Sequence, residues 1–391
     1  MPSPYRKHWS IDPELSFLNH GSFGACPTAV LKHQSQLRGR MEASLVRFMA
    51  RELEGQVDRA RAILADFVGA QPADLVFVPN ATSGANAVLR SMELTADDEI
   101  LVTNHGYNAC NNAVDFVTRR AGARTVTADL PFPVESDDQI IDAVLQQVSA
   151  RTRLALIDHI TSATGLILPI AKLIGALRER GVETLVDGAH APGMLELQIE
   201  RWNPAYYTGN CHKWLCAPKG AAFLWVRSDL QAGVRPTVIS HGANSKRTDR
   251  SLFQQEFGWT GTGDPTSILC VPAALEFMGS LMDGGWPALR RYNHEMVLAG
   301  AATVQAALGV PAAAPDSMLG SLASILLPDD GLGSPASAFD VDPLQLRLFD
   351  DHAIEVPIMW SDAAGRRLVR ISAQAYNDPD EYERLAQALS S

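Results

Sequence analysis

The chain contains 391 residues, 46% hydrophobic and 20% charged, which is enough for about two or three domains with large cores. Its 33 basic and 44 acidic residues leave a net charge of −11, which argues against nucleic-acid binding because phosphate neutralisation needs clustered lysine and arginine. The longest uncharged apolar stretch, residues 160–171, is too short to span a bilayer, and the N-terminus lacks the apolar run of a signal peptide. We therefore expect a cytoplasmic protein with no membrane segment.

The five cysteines are scattered along the chain, at positions 26, 110, 211, 216 and 270. They do not show the paired spacing of a zinc site, and a reducing compartment makes a disulfide framework improbable. We expect buried structural thiols and no metal site.

From about residue 55, short apolar runs alternate with longer amphipathic segments. Strands are predicted at 75–78, 100–103, 124–127, 154–158, 184–187, 206–208 and 221–227, and the helices between them include 138–149 and 171–180. Strands that alternate with helices favour a mostly parallel sheet covered on both faces. The pattern predicts one large α/β domain with a seven-stranded sheet.

Beyond about residue 266 the pattern changes. Long helices at 267–282 and 286–308 precede short strands at 321–327, 355–359 and 367–372 and a final helix at 379–389. We interpret this region as a smaller α+β domain. The predicted organisation is an N-terminal segment, 1–25, that packs with the small domain, a large domain, 26–265, and a small C-terminal domain, 266–391.

The first predicted strand of the large domain leads into a turn rich in small and hydroxyl residues, PNATSGAN, followed by a helical pattern. A strand, such a turn and a helix N-terminus can bind a phosphate through free backbone N–H groups and the helix dipole. The same turn could instead simply cap the helix through Thr82 or Ser83.

The strand at 184–187 ends on Asp187, followed by Gly188, Ala189 and His190. An acid at the carboxyl end of a strand could bind a ribose, a metal or a protonated ring nitrogen, or be a buried structural residue. No second carboxylate stands nearby in sequence, which makes a metal the weaker possibility.

Lys213 is one of only six lysines and stands among aromatic, cysteine and histidine residues in TGNCHKW. A desolvated lysine has a lowered pKa and becomes a nucleophile that can form a Schiff base. Lys213 could instead be a surface lysine. Lys219 is the competing candidate for the Schiff base, although its position in the turn PKG indicates that it is exposed.

Pyridoxal phosphate would use all three features. It needs an anion-binding turn, an acid against its ring nitrogen and a lysine for the Schiff base. Thr82, Asp187 and Lys213 occur in that order, and the sequence contains no GxGxxG, Walker, HExxH or GxSxG motif that offers another explanation.

Several longer segments add a family resemblance that extends from about residue 15 to residue 378. They are LNHGSFGACP, PNATSGAN, DHITSATG, VDGAHAPG, GNCHKWLCAPKG, WTGTGDPT and RISAQAYN. Together they resemble the class V aminotransferase family, in the branch similar to isopenicillin N epimerase, which is related to cysteine desulfurases and C–S lyases. The resemblance implies the fold-type I pyridoxal-phosphate transferase fold, a small amino-acid substrate and a homodimer with shared active sites.

The resemblance implies roles at the cofactor ring. Lys213 would carry the cofactor covalently, and Asp187 would keep the ring nitrogen protonated. His105 would stack on the ring face, with Tyr107 as the reserve candidate.

It also implies roles around the ring's edges and the substrate. His190 and Ser162 would approach the phenolic oxygen, and Thr262 of the neighbouring subunit would reach the phosphate. Arg370, with Asn19, would bind the substrate, the guanidinium forking onto the α-carboxylate. The other phosphate ligands would be Ala81, Thr82, Ser83, Asn210 and His212.

Two departures from the family pattern bear on the reaction. Asn210 stands where desulfurases usually have serine. The stretch 323–340 contains no cysteine, whereas the family's desulfurases carry a persulfide-forming cysteine on a loop there. Sulfur transfer through a protein persulfide is therefore not expected.

Four functions remain open. An epimerase-like enzyme would break and remake the Cα–H bond of an amino acid with Lys213 as one base. A C–S lyase would eliminate a sulfur leaving group after the same proton abstraction. A true aminotransferase and a non-catalytic scaffold are the other two, and the scaffold would not need the lysine.

Overall fold

A computed structural model describes residues 3–329, 331–337 and 339–390. Five residues lie outside the described part. Residues 1, 2 and 391 are at the ends of the predicted outer segments, and residues 330 and 338 belong to the cysteine-free stretch 323–340. The strands are β1 (Ser16–Phe17), β2 (Leu75–Val78), β3 (Glu99–Thr103), β4 (Arg124–Ala128), β5 (Thr152–Asp158), β6 (Glu183–Asp187), β7 (Tyr206–Asn210), β8 (Ala222–Val226), β9 (Leu322–Leu326), β10 (Ile354–Glu355), β11 (Ile358–Ser361) and β12 (Arg366–Ser372).

The helices alternate with the strands in the first two thirds of the chain and dominate after β8. They are α1 (His20–Phe23), α2 (Thr28–Ala43), α3 (Leu45–Arg47), α4 (Leu53–Val68), α5 (Ala81–Ser91), α6 (Asn108–Ala121), α7 (Asp137–Gln146), α8 (Ile170–Glu179), α9 (Ile199–Trp202), α10 (Leu252–Gly258), α11 (Thr266–Leu269), α12 (Val271–Gly279), α13 (Gly285–Leu308), α14 (Pro343–His352) and α15 (Pro379–Ser390). No helix in the described ranges is both long and apolar enough to cross a bilayer.

The central sheet has seven strands in the order β2-β8-β7-β6-β5-β3-β4. Strand β8 is antiparallel to both of its neighbours, and the other pairs are parallel. The predicted mostly parallel seven-stranded α/β fold is therefore confirmed. Parallel connections carry helices over the faces of the sheet, so its strands must be apolar on both sides.

Strand β5 shows how the two faces are built. Leu154 and Leu156 belong to the apolar core on one face, and Ala155 and Ile157 belong to the core on the other. Successive side chains of a strand point to opposite faces, so this uninterrupted apolar run fills both cores. The run ends at Asp158, at the carboxyl end of the strand.

The C-terminal region forms an antiparallel sheet, β11-β12-β9, against which α13 and α15 pack. The N-terminal β1 pairs in parallel with β10 of this region. The predicted boundaries at 25/26 and 265/266 remain predictions.

Two predicted elements of this region are wrong in extent, and proline accounts for both. The strand predicted at 355–359 is two strands, β10 and β11, separated at Val356 and Pro357, because proline cannot donate to a ladder. The helix predicted at 267–282 is interrupted at Cys270, between α11 and α12. Pro272, at the start of α12, cannot continue the hydrogen bonding of a preceding helical turn.

Candidate active site

A cavity of about 480 Å³ lies at the carboxyl ends of the central strands, where open α/β sheets bind ligands. It brings together ten of the predicted site residues: Ala81, Thr82, Ser83, Tyr107, Ser162, Asp187, His190, Asn210, His212 and Lys213. These residues come from turns that are far apart in sequence, and the parallel sheet places the turns side by side.

Lys213 lies in the turn after β7, with its Nζ 2.9 Å from Nε2 of His190. The indole N–H of Trp214 lies 3.3 Å from His190 Nδ1, which must accept because indole only donates. The neutral imidazole therefore carries its proton on Nε2 and donates it to the Lys213 nitrogen. Burial, reinforced by the Arg370 charge, lowers the pKa of Lys213 to about 7, so a large neutral fraction of this amine is present at physiological pH.

Asp187 ends β6 and is 3% exposed. Its carboxylate accepts hydrogen bonds from two neutral donors, the Ala189 amide at 2.9 Å and the Cys110 thiol at 3.2 Å. Burial raises the pKa of Asp187. A cation against this carboxylate, such as a protonated ring nitrogen, would compensate the cost of burying it.

In the phosphate-binding turn, more backbone amides are already hydrogen-bonded within the chain than the sequence predicts. Asn210 Oδ1 accepts from the Ala81 amide at 2.8 Å, and Asn80 caps α5 by accepting from the Ser83 amide at 2.8 Å. Among the described hydrogen bonds, the Thr82 amide is the one in this first turn without an acceptor. The Ser83 hydroxyl donates to Asn80 Oδ1 at 3.0 Å, so the Thr82 amide, the Thr82 hydroxyl and the Asn210 amide nitrogen are the donors available to an anion.

His212 stands beside this turn. Its Nδ1 lies 3.0 Å from the Ala221 carbonyl, so Nδ1 carries the proton and Nε2 is left for another partner. Burial lowers the pKa of His212 to about 4.

Arg370, on β12, does not line the cavity itself but lies directly behind two residues that do. Its Nη1 donates to the Ser162 carbonyl at 2.6 Å, and its Nη2 to the Ser22 hydroxyl at 3.0 Å. Asn19 accepts from Nη2 at 3.4 Å and donates to Glu355 at 3.1 Å. Asn19 is thus a support for Arg370 and is not a lining residue.

Two further predicted residues, His105 and Thr262, also lie outside the cavity of their own chain. His105 is buried, with Nδ1 2.7 Å from the Thr164 hydroxyl and Nε2 3.3 Å from the Leu130 carbonyl. The reserve candidate, Tyr107, lines the cavity and is 43% exposed. Thr262 lies on an exposed loop beyond the cavity.

Six lining residues were not among the predicted site residues: Ser22, Phe23, Asn80, Asp158, Ile160 and Ala189. Asp158 ends a strand as Asp187 does, so its position at a strand's carboxyl end was the available signal. Ser22 and Phe23 belong to the motif HGSFG, whose contribution depends on how the N-terminal segment folds back. In the described part of the chain, no group of three or more His, Cys, Asp or Glu side chains could hold a metal ion.

The donors and charges fit pyridoxal phosphate. Thr82, Asn210 and their neighbours would hold an anion at one end of the cavity. Asp187 would pair with a ring nitrogen, and Lys213 supplies an amine at the other side. Asp158 Oδ2 is buried without a hydrogen-bond partner, so it is a further polar atom of the same cavity whose hydrogen bonding is not satisfied.

Comparison with known proteins agrees with this chemistry. A family model for class-V aminotransferases matches residues 25–385. The chain is 33% identical to isopenicillin N epimerase of Amycolatopsis lactamdurans, over 98% of this chain and 96% of that protein. It is 32% identical to a probable chloroplastic L-cysteine desulfhydrase of Arabidopsis thaliana, over 97% of this chain and 83% of that protein.

Solved structures share the fold. A C-DES mutant with glycine covalently linked to its PLP cofactor superimposes with a TM-score of 0.80 at 20% identity, covering 100% of both chains. The apo cysteine desulfurase of Thermococcus onnurineus NA1 gives 0.81 at 18% identity, covering 100% of this chain and 98% of that one. The family match and these likenesses show that the chain belongs to the class-V aminotransferase family of fold-type I enzymes, whose cofactor is pyridoxal 5′-phosphate.

Proposed function

We propose that the protein acts at Cα of a small amino acid and inverts it, as an epimerase-like enzyme. The observation that carries the proposal is the Lys213–His190 pair, a buried and partly neutral amine at the cavity wall. Such an amine can serve first as the cofactor's attachment point and then as a base. The epimerase relative, aligned over nearly the whole chain, supports the same reading.

Substrate binding falls to Arg370. Arg370 is 2% exposed, and the acceptors around its guanidinium, Ser162, Ser22 and Asn19, are all neutral. A buried cation with neutral partners is costly, and an α-carboxylate would supply the opposite charge in the bidentate geometry that arginine favours.

Pyridoxal phosphate, when bound, withdraws electrons from the substrate's α-carbon and makes its proton acidic. Lys213, from the β7 side of the cavity, would take that proton. Tyr107 follows β3, so β6 and β5 separate the two residues in the sheet order. Burial raises the pKa of Tyr107, so its phenol keeps a proton that it can return to Cα from the other side.

A C–S lyase acting on a cysteine derivative is the second candidate. The desulfhydrase relative favours it, and elimination needs only the one base. None of the described residues lining the cavity is a cysteine, and the stretch 323–340 contains none. Released sulfur would therefore leave as a small molecule.

Deuterium incorporation distinguishes the two. The holoenzyme is incubated in deuterated water with L- and D-amino acids and with L-cysteine. We expect deuterium at Cα in both enantiomers, and loss of all exchange in Lys213→Ala. Tyr107→Phe should slow label entry into the opposite enantiomer by about 10²-fold, whereas the control Tyr206→Phe, remote from the cavity, should not.

The epimerase proposal fails if label enters only the starting enantiomer while cysteine yields pyruvate and sulfide. That outcome supports the lyase. Absence of exchange with every substrate, in a protein that holds its cofactor, contradicts both.

A homodimer completes the proposal. Thr262 is exposed, and the same loop borders a second cavity of about 380 Å³, whose lining includes Phe257 and Trp259 together with charged side chains. A second subunit seated there would cover these side chains. It would also carry its own Thr262 toward the phosphate of this chain, as the family resemblance implies.

A further inference from the structure

Two carboxyl groups end neighbouring strands at the cavity. Strands β5 and β6 are parallel, and Asp158 and Asp187 are direct register partners. Register partners in adjacent strands point to the same face of the sheet, with backbones about 5 Å apart. Both residues are 3% exposed and both line the cavity.

The hydrogen bonds around these two groups are unequal. Asp187 accepts from the Ala189 amide and the Cys110 thiol, and such donors stabilise a carboxylate. Asp158 accepts from the Tyr107 amide and from its own backbone amide, but its Oδ2 is buried without a hydrogen-bond partner. Of the two, Asp158 is the poorer site for a negative charge.

The other ionisable groups facing the pair do not supply two positive charges. Lys213, after β7, is partly neutral because burial lowers its pKa to about 7. Cys110, on α6, and Tyr107, after β3, both keep their protons because burial raises their pKa values. Two adjacent buried carboxylates with so little compensation cannot both ionise.

We propose that Asp158 is a permanently protonated partner of Asp187, so that the pair carries one negative charge and that charge resides on Asp187. Asp158 is then a positioning residue that acts through Asp187, which the proposed function assigns to the cofactor's ring nitrogen. Burial and the neighbouring Asp187 charge raise the pKa of Asp158, which agrees with this assignment. A pair of acids with one shared charge behaves as one titrating unit.

Infrared spectroscopy of the holoenzyme tests the protonation directly. Near neutral pH, the wild type should show the carbonyl stretch of a protonated carboxylic acid. Asp158→Asn should lose most of that band, because the amide replaces the acid with a neutral group of the same shape. Asp137→Asn, a control on α7 whose carboxylate pairs with Lys172 away from the cavity, should retain it.

The affinity for pyridoxal phosphate distinguishes the role of Asp158 from that of Asp187. Asp158→Asn should keep its dissociation constant for pyridoxal phosphate within about threefold of the wild type, whereas Asp187→Asn should weaken binding by at least about tenfold. If Asp158→Asn does not fold, a pH titration of the wild-type band replaces it, and the band should persist well above the usual range of a carboxyl.

A wild-type spectrum without the acid band, or an undiminished band in Asp158→Asn, overturns the proposal. An acid band that disappears in Asp158→Asn, in an enzyme without activity on any amino acid, would sustain it while refuting the proposed function. The proposal on Asp158 and the proposed function can therefore fail separately.

Discussion

Lys213, Asp187 and Arg370 are buried ionisable side chains whose partners inside the chain are mainly neutral. Proteins rarely bury charges in this way unless a ligand completes them. The cofactor's ring nitrogen and the substrate's carboxylate have the charges that Asp187 and Arg370 would pair with. The charges of these single residues therefore support the proposal that the site binds pyridoxal phosphate and the carboxylate of an amino acid.

Asp187→Asn tests this charge pairing. An amide of the same shape cannot stabilise a protonated ring nitrogen, so the ring withdraws fewer electrons from Cα. We expect the folded protein to retain measurable cofactor binding while kcat falls by about 10²–10³-fold. Steady-state kinetics on the substrate found by deuterium exchange provides the measurement, with Asp137→Asn as the control. Near-normal turnover would make Asp187 a structural residue.

Single residues were predictable where position in a strand carried the signal. Asp187 and Lys213 follow strands that their apolar runs reveal, and the structure brings both into one cavity. Asp158 was missed because closeness was judged along the sequence, whereas the parallel register makes Asp158 and Asp187 neighbours. His105 and Tyr107 share one turn, and only the direction of that turn decides which of them lines the cavity.

Helix α1 and the turn that follows it contact the backbone of Lys213 and hold it in place. His20 Nε2 lies 3.1 Å from the Lys213 carbonyl, and Gly24 has φ +71°. A Cβ at Gly24 would lie 2.1 Å from the His212 carbonyl oxygen and 2.9 Å from Lys213 Cα. Only glycine allows this close approach, because it has no Cβ and tolerates positive φ.

Gly24→Ala should therefore destabilise the protein by more than about 1 kcal/mol and lower its affinity for pyridoxal phosphate. Gly175→Ala is the matched control, since Gly175 lies on the exposed face of α8 with open space around its Cβ position. That change should stabilise by about 0.5–1 kcal/mol. Chemical denaturation and cofactor titration measure both. Equal behaviour of the two variants would show that the turn does not constrain Lys213.

The sequence predicted the elements of the large sheet well because their apolar runs are short and separated by polar turns. Prediction was weaker in the C-terminal region, where Pro357 and Pro272 interrupt runs whose hydrophobicity continues. Pairing of β1 with β10 depends on contacts between the two ends of the chain, which no local pattern encodes.

For the whole molecule, buried histidines predict a loss of stability in acid. Burial lowers the pKa of His20 and His159 to about 3, and that of His105 and His212 to about 4, and it holds the pKa of His190 well below 6.5. The unfolded chain takes up these protons near pH 6.5 and the folded chain does not. Stability is therefore lost as pH falls from 6.5 toward 4, by up to about 1.4 kcal/mol per pH unit for each histidine.

The raised pKa values of Asp74, Asp158, Asp187, Glu256 and Glu381 act in the opposite direction. Apart from that of Asp158, these shifts are smaller than those of the five histidines. Urea denaturation of the apoprotein at pH 6.5 and pH 5 should show a clearly lower free energy of unfolding at pH 5. His159→Asn should reduce that difference. A stability independent of pH in this window would mean that the histidines are protonated when folded.

Shared active sites predict complementation between two inactive variants. In a mixture of Lys213→Ala and Thr262→Ala chains, each heterodimer would contain one site with both residues intact. Activity should then exceed that of either variant alone, and sedimentation should show a dimer. A fully active monomer would contradict the shared site.

Covalent attachment of the cofactor to Lys213 is the most direct test of the account as a whole. Lys219 is the stringent internal control, because it lies six positions away and its Nζ donates to the Gly24 carbonyl at 2.6 Å. Borohydride reduction of the holoenzyme, followed by digestion and peptide fragmentation, should find the cofactor mass on Lys213 in the wild type and in Lys219→Ala. Label on Lys219, or on no lysine in a protein that retains its cofactor, would contradict the account.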